Sequence, residues 1–298
     1  MKISDILNKN KPCLSFEVFP PKTTTAFESV KEATERIAEL HPAFMSVTYG
    51  AGGGTSKYTI EIAKNINERH GVPSLAHLTC VSSDKHTVRT RIAEIKAAGI
   101  ENVMALRGDI PAEMQSADRS LWDYRHAIDL VREIKNSAPE LCIGGACYPE
   151  VHPESANADE DIRHLREKVD AGCDFLTTQM FFDNELFYNF LDKARAAGIT
   201  VPIVPGIMPI TSAAQIDRAI KLSGSYIPKR FLDIVAKYGC DPVAMQDAGI
   251  EYATEQINAL YDGGVPCVHV YSMNKVEVAN RILHGVSPKL KHELQYTN

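Results

Sequence analysis

The sequence predicts a (β/α)8 barrel, on three observations. Short β-branched or aromatic runs alternate with charged segments of helical period, and eight such runs can be counted along the chain. In addition, no run carries the GxGxxG or GxxxxGK[ST] fingerprint that would favour the runner-up, an open doubly wound sheet. The strands are expected at 13–19, 44–49, 74–80, 102–107, 142–148, 175–180, 203–208 and 267–271, each followed by a helical pattern. The interval 211–266 holds the helix expected after strand seven and two extra ones, around 228–238 and 242–261. No Pro-, Gly- or Ser-rich linker divides the 298 residues, so 1–298 is expected to form one barrel domain of a size usual for this architecture. The run Gly50-Ala51-Gly52-Gly53-Gly54-Thr55 after strand two fits either a pliable βα loop or a phosphate cradle.

Composition narrows the class of function. Hydrophobic residues make up 44% and charged residues 23%, enough to bury a core and unlike a disordered or collagenous chain. A formal net charge of −6 supplies no footprint for nucleic acid or acidic membranes, which favours small-molecule chemistry. Residues 1–11 lack the apolar core of a signal peptide, and no stretch approaches ~20 apolar residues, so a cytoplasmic protein is expected. Seven cysteines without a CxxC pair read as small reduced core residues rather than a metal site.

Strand side chains alternate faces, so each strand can be asked which polar residues share one. In the first, Ser15, Glu17 and Phe19 oppose Leu14, Phe16 and Val18; in the second, Ser46 and Thr48 oppose Met45, Val47 and Tyr49. The third offers His77 and Thr79, the fourth Arg107 followed by Asp109, the fifth Tyr148, and the sixth Thr177 and Gln179. All lie toward the C-terminal strand ends, which a parallel barrel gathers at the mouth where active sites of this fold are assembled. Ser15, Ser46, Thr79 and Thr177 also fit as pleat fillers. Glu17, alone among apolar neighbours, must stay neutral or find a partner. It is expected to have a raised pKa suited to donating a proton, with a structural ion pair as the alternative. Arg107-Gly108-Asp109 fits a mouth-closing salt bridge or a ligand clamp, and His77 a core histidine or a site residue. Asp161, His164 and Lys168 share a helix face, either solvated or gripping a phosphate-bearing cofactor. No HxH or HExxH spacing supports a metal.

Several of these segments together resemble the methylenetetrahydrofolate reductase family in its bacterial flavoprotein form, from about Cys13 to His284. They are Ser15-Phe16-Glu17-Val18-Phe19-Pro20-Pro21-Lys22, Ser46-Val47-Thr48-Tyr49-Gly50, His77-Leu78-Thr79-Cys80, Ala105-Leu106-Arg107-Gly108-Asp109, Tyr148-Pro149-Glu150-Val151-His152-Pro153, Lys168-Val169-Asp170-Ala171-Gly172, Thr178-Gln179 and Pro205-Gly206-Ile207-Met208-Pro209. The resemblance implies a (β/α)8 barrel that binds FAD noncovalently. It also implies reduction of 5,10-methylenetetrahydrofolate to 5-methyltetrahydrofolate by hydride transfer through the flavin, with NADH or NADPH as donor. Glu17 then stands where the family has the acid that protonates N10, Asp109 where it has a carboxylate near flavin and pterin, and Gln179 at a pterin-binding amide. Thr48, His77, Arg107, Gly108, Asp109, Tyr148, His152, Asp161, His164 and Lys168 fall on FAD-contact positions. Ser155 replaces an Ala beside the FAD, and His164 replaces an Asn.

Two departures bear on the partners. Where familiar bacterial members carry a Phe that packs on folate or nicotinamide, this chain has Ala219, and the Asn-Arg pair after strand eight reads Asn274-Lys275, which keeps a substrate-binding charge without the bidentate fork. Ala219 sustains an alternative, a flavin-binding subunit that receives electrons from a partner protein, as some anaerobic relatives do. A barrel enzyme without flavin, such as a pterin transferase, leaves the Asp161, His164 and Lys168 face unexplained. A homo-oligomer is expected.

Overall fold

The computed structural model describes residues 1–21, 23–49, 56–110 and 114–290. Lys22, the glycine run at 50–55 and residues 111–113 of the loop after strand four therefore lie outside the described residues. Strands β1 (Cys13–Val18), β2 (Met45–Val47), β3 (Ser74–Thr79), β4 (Asn102–Leu106), β5 (Cys142–Cys147), β6 (Phe175–Thr178), β7 (Ile203–Val204), β8 (Gly206–Ile207) and β9 (Cys267–Tyr271) form one sheet in the order β7-β6-β5-β4-β3-β2-β1-β9-β8, and every pairing is parallel. The architecture is the expected (β/α)8 barrel. Its seventh strand differs from the expected single run: it is split at Pro205, with β7 pairing to β6 and β8 to β9. Proline has no N–H to give the ladder, and this run passes from one neighbour to the other at that point. Gly206 N–H bonds the Thr178 hydroxyl at 2.8 Å, and a Cβ at Gly206 would lie 2.4 Å from the Tyr271 hydroxyl and 2.5 Å from the Thr178 carbonyl oxygen, so the seam closes only around a glycine.

The helices are α1 (Ile3–Leu7), α2 (Phe27–Ala38), α3 (Ser56–His70), α4 (Lys85–Ala97), α5 (Ala127–Ser137), α6 (Ala158–Asp170), α7 (Asn184–Ala196), α8 (Ala213–Ser223), α9 (Lys229–Tyr238), α10 (Pro242–Asp262) and α11 (Val276–Leu290). Their starts follow from capping chemistry. Asp84 accepts from Thr87 N–H at 2.7 Å ahead of α4, Asn157 from Glu160 N–H at 2.9 Å ahead of α6, and Asp241 from Val243 and Ala244 ahead of Pro242 in α10.

Apolar side chains separate into three groups. Outward strand residues such as Leu14, Phe16 and Val18 pack against the helices. Inside the barrel, Phe44, Leu75, Met104, Cys142, Phe175, Val204 and Cys267 fill the base, and Ile3 and Leu7 of α1 close it from below. The sequence had not marked α1. Its role is secured by Asn102, whose amide oxygen accepts Ile3 N–H at 2.8 Å while its amide nitrogen donates to Met1 and Ser74 carbonyls. The third group, with Phe182, Ile216, Ala219, Phe231 and Met245, lies under the extra helices of the 211–266 interval. The seven cysteines are free thiols, most of them buried. Among the described residues no helix is long and apolar enough to cross a membrane, and no group of three His, Cys, Asp or Glu is placed to hold a metal ion.

Candidate active site

Above the apolar base, the same inward strand faces turn polar. Ser15 and Glu17 of β1, Ser46 of β2, His77 of β3 and His269 of β9 meet in the barrel interior through strand register, Glu17 standing opposite Ser46 and Tyr271, and Ser15 opposite His269. The Ser46 hydroxyl donates to Glu17 Oε2 at 3.2 Å, and His269 Nε2 lies 3.0 Å from Ser46 Oγ. His269 Nδ1 lies 2.7 Å from Ser15 Oγ, and Ser15 Oγ also reaches the Val268 carbonyl at 3.3 Å. On the other side His77 Nε2 is 3.5 Å from Glu17 Oε2, buried and without a hydrogen-bond partner. Ser15, Ser46 and His269 are nearly inaccessible, whereas the Glu17 side chain keeps 21% of its surface exposed toward the mouth.

This environment corrects the expected protonation of Glu17. Burial raises its pKa and is the largest single influence, but the nearby His269 and His77 rings and the Ser46 hydroxyl together hold it below the ordinary carboxylate value. The strand was read as apolar because its partners come from other strands. Burial pushes His77 down, the Glu17 charge opposing it, which favours a neutral imidazole near pH 7. The lowered pKa favours the carboxylate form of Glu17, which Ser46 supports by a hydrogen bond and His269 supports through Ser46.

The strand ends carry the second group. Arg107 pairs with Glu154, not with Asp109 as the salt-bridge reading had it, and Arg119 approaches the same carboxylate at 3.6 Å. Asp109 is exposed just beyond β4. Gly108 has φ +89°, and a Cβ there would stand 2.9 Å from Val81 Cγ1 and 3.0 Å from Thr79 Cβ, so only glycine fits between β3 and β4. At the end of β5, Tyr148 lies edge-on to His152 with ring centres 4.6 Å apart. The intervening turn holds Val151 at φ +74°, a strained geometry for a β-branched residue. Burial pushes the Tyr148 hydroxyl up to about 12 and His152 down. Asp161 accepts from His152 N–H at 3.1 Å and from Ser155 Oγ at 3.1 Å, so it shapes this turn. Lys168, from the same helix face, donates its Nζ to the Ala146 carbonyl. His164 is exposed beside Arg163, outside this connected set.

Thr48, half-buried, continues the β2 end and gives its N–H to Val18 O at 3.0 Å. Gln179 accepts Met180 N–H at 2.9 Å with its side-chain oxygen. Lys275 donates to Thr211 Oγ1 at 2.6 Å, and Asn274 holds the Phe19 backbone with two bonds of 2.9 Å, tying the end of β9 to that of β1. Ala219 is buried among the residues of the third apolar group. His269 was missed at the sequence level. The signal was present, since it alternates with Cys267 and Tyr271 on the inward face of the last strand.

A family model described as "Methylenetetrahydrofolate reductase" matches residues 2–287. The chain is 37% identical over 289 residues to methylenetetrahydrofolate reductase 1 of Schizosaccharomyces pombe, covering 95% of this chain and 48% of that protein. It is 35% identical over 279 residues to 5,10-methylenetetrahydrofolate reductase of Escherichia coli, covering 93% and 92%. The chain thus spans about half the length of the yeast relative and nearly all of the bacterial one. Among solved structures, an uncharacterized Clostridium thermocellum protein that binds two copies of 5-methyl-5,6,7,8-tetrahydrofolic acid aligns with a TM-score of 0.66 at 19% identity, over 97% of this chain and 99% of that one, a likeness of fold. With its barrel, its Glu17-centred interior and a match spanning almost its entire length, the chain belongs to the methylenetetrahydrofolate reductase family.

Proposed function

We propose that the chain, as one barrel domain, reduces 5,10-methylenetetrahydrofolate to 5-methyltetrahydrofolate with bound FAD, taking electrons from NADH or NADPH. The observation that carries this reading is Glu17, a carboxylate that accepts from the Ser46 hydroxyl inside the barrel, lies beside the His77 and His269 rings and is open toward the mouth. The residues around it fit a flavin. His77 offers a buried ring nitrogen without a partner, Gly108 leaves a backbone cradle at the end of β4, and Arg107 and Lys168 supply cations that would pair with a pyrophosphate. Thr48, Asp109, Tyr148, His152, Ser155, Asp161 and His164 complete the binding set. When bound, the flavin supplies the hydride chemistry.

In this reading Glu17 gives its proton to N10 of the folate, which opens the imidazolidine ring to an electrophilic 5-iminium cation. A ligand seated over the mouth removes the remaining exposure of Glu17 and so strengthens the burial that favours its protonated form. Asp109 and Gln179 hold the pterin, and Lys275 faces an anionic part of the substrate from the end of the last strand. The test is an anaerobic visible spectrum of the purified protein, taken before and after NADH or NADPH and again after 5,10-methylenetetrahydrofolate. A flavin band that bleaches and then returns supports the reading; no band, or no return with folate, defeats it. The burial of Ala219 favours one second reading, delivery of electrons by a partner protein, in which the band persists with either nucleotide but bleaches with dithionite and returns with folate.

A further inference from the structure

A buried histidine that touches neither mouth nor solvent stands directly behind the proposed acid. His269 is 2% exposed, stacked on Phe44 at 5.7 Å, and spans two serine hydroxyls, Ser15 at Nδ1 and Ser46 at Nε2. The count of protons along this line is restrictive. Ser46 has one proton, and where it goes to Glu17 Oε2 the Ser46 oxygen can only accept, so Nε2 must carry a hydrogen. Ser15 likewise has one proton, and where it goes to the Val268 carbonyl its oxygen accepts from Nδ1. Both bonds together require an imidazolium beside an ionised Glu17. Turning Ser46 the other way, with its hydroxyl toward Nε2, leaves a neutral Nδ1–H imidazole and room for a protonated Glu17. Every donor and acceptor is satisfied in either arrangement.

We propose that His269 is a positioning residue that acts through Ser46, holding the proton with which Glu17 is recharged. The proposal rests on the reading of Glu17 as the proton donor to folate. The balance is one proton: the His269 Nε2–H bond breaks as a Ser46 Oγ–H bond forms, and the original Ser46 O–H bond breaks as a Glu17 Oε2–H bond forms; once product leaves, a solvent proton taken up at the exposed side of Glu17 reloads His269 by the reverse exchange. Ser46 ends as it began. Ser15 fixes the remaining hydrogen on Nδ1 and so gives the line its direction. The other titratable groups facing His269 are His77 across Glu17, Cys13 and Cys267 on the layer below, and Tyr271, whose ring meets the imidazole edge-on at 5.6 Å.

The test is histidine 15N NMR of the purified holoprotein between pH 5 and 9, with His269 assigned by loss of its signal in His269→Gln. Hydrogen on Nδ1 at every pH, with an Nε2 signal whose pH dependence moves in Glu17→Gln, is the expected result. A neutral imidazole with hydrogen on Nε2 and a bare Nδ1 throughout overturns the proposal. Single-turnover reoxidation of the reduced flavin by folate supplies the second readout. His269→Gln keeps an N–H for Ser46 but no transferable proton, so the step is expected to slow about 100-fold and lose its pH dependence. A wild-type rate and pH profile overturns the role. Should His269→Gln fail to fold, Ser46→Ala interrupts the same line and is read the same way. A wild-type protein that never reoxidises with folate defeats the reading of Glu17, while the NMR result still decides where the proton sits.

Discussion

The base and the mouth of the barrel are built from the same strands and the same inward faces, yet they differ in almost every physical respect. Phe44 and Ser46, Leu75 and His77, and Cys267 and His269 lie two positions apart, and each short step exchanges close apolar packing for buried polar groups. The base derives stability from removing apolar surface from water, on the order of 1.5–3 kcal/mol for a large side chain. The polar layer instead buries a carboxylate, which desolvation opposes and its polar neighbours sustain, beside two imidazoles. One period of a strand is thus enough to separate what holds the barrel together from what the barrel does.

Substitutions can break this separation. The largest effect is expected at the mouth: Glu17→Gln should keep flavin binding and flavin reduction but slow reoxidation by folate about 100- to 10,000-fold, read by stopped-flow absorbance, and near-normal folate turnover would remove Glu17 from the mechanism. At the base, Phe175→Ala should cost about 3–5 kcal/mol in urea unfolding while turnover per folded molecule stays unchanged. A loss of turnover there would show that the two layers are coupled. The seam lies between them. Gly206→Ala, with its Cβ against Tyr271 and Thr178, should lower stability by about 1–3 kcal/mol by the same measurement, and a neutral result would mean that the seam opens without cost.

The smallest effect concerns pH. His77 is shifted below its ordinary value of 6.5, so the unfolded chain takes up a proton first on acidification, and stability present above about pH 6.5 declines as the pH falls toward the folded value. His77→Gln should therefore show a shallower loss of melting temperature between pH 7 and 5. His152, shifted the same way, leaves part of the slope in place.

Much of this arrangement was legible in the residues. Glu17 declared itself because a lone carboxylate among Leu14, Phe16 and Val18 demands an explanation, and the eight alternating runs pointed to a barrel. The sense of the Glu17 pKa was not legible. Burial could be read from one strand, but the groups that outweigh it arrive from β2, β3 and β9, 29 to 252 positions away along the chain. Arg107 met Glu154 rather than its neighbour Asp109 for a similar reason, since loop geometry and not proximity in sequence chose the partner. The split at Pro205 had a visible cue in the missing N–H of proline, whereas nothing in the five residues of α1 indicated that they would close the base from below.

That closure bears on how the molecule assembles. The base cluster draws on Ile3 and Leu7 at one end of the chain and on Cys267 near the other, and Cys13 finds its register partner at Cys267. Contacts so distant in sequence return nothing until the loop entropy of the intervening chain has been overcome, and they slow folding in proportion. A chain halted before its last strand would have the helices and most of the sheet but an open trough in place of a ring, with the apolar floor and Glu17 alike exposed to water along one side.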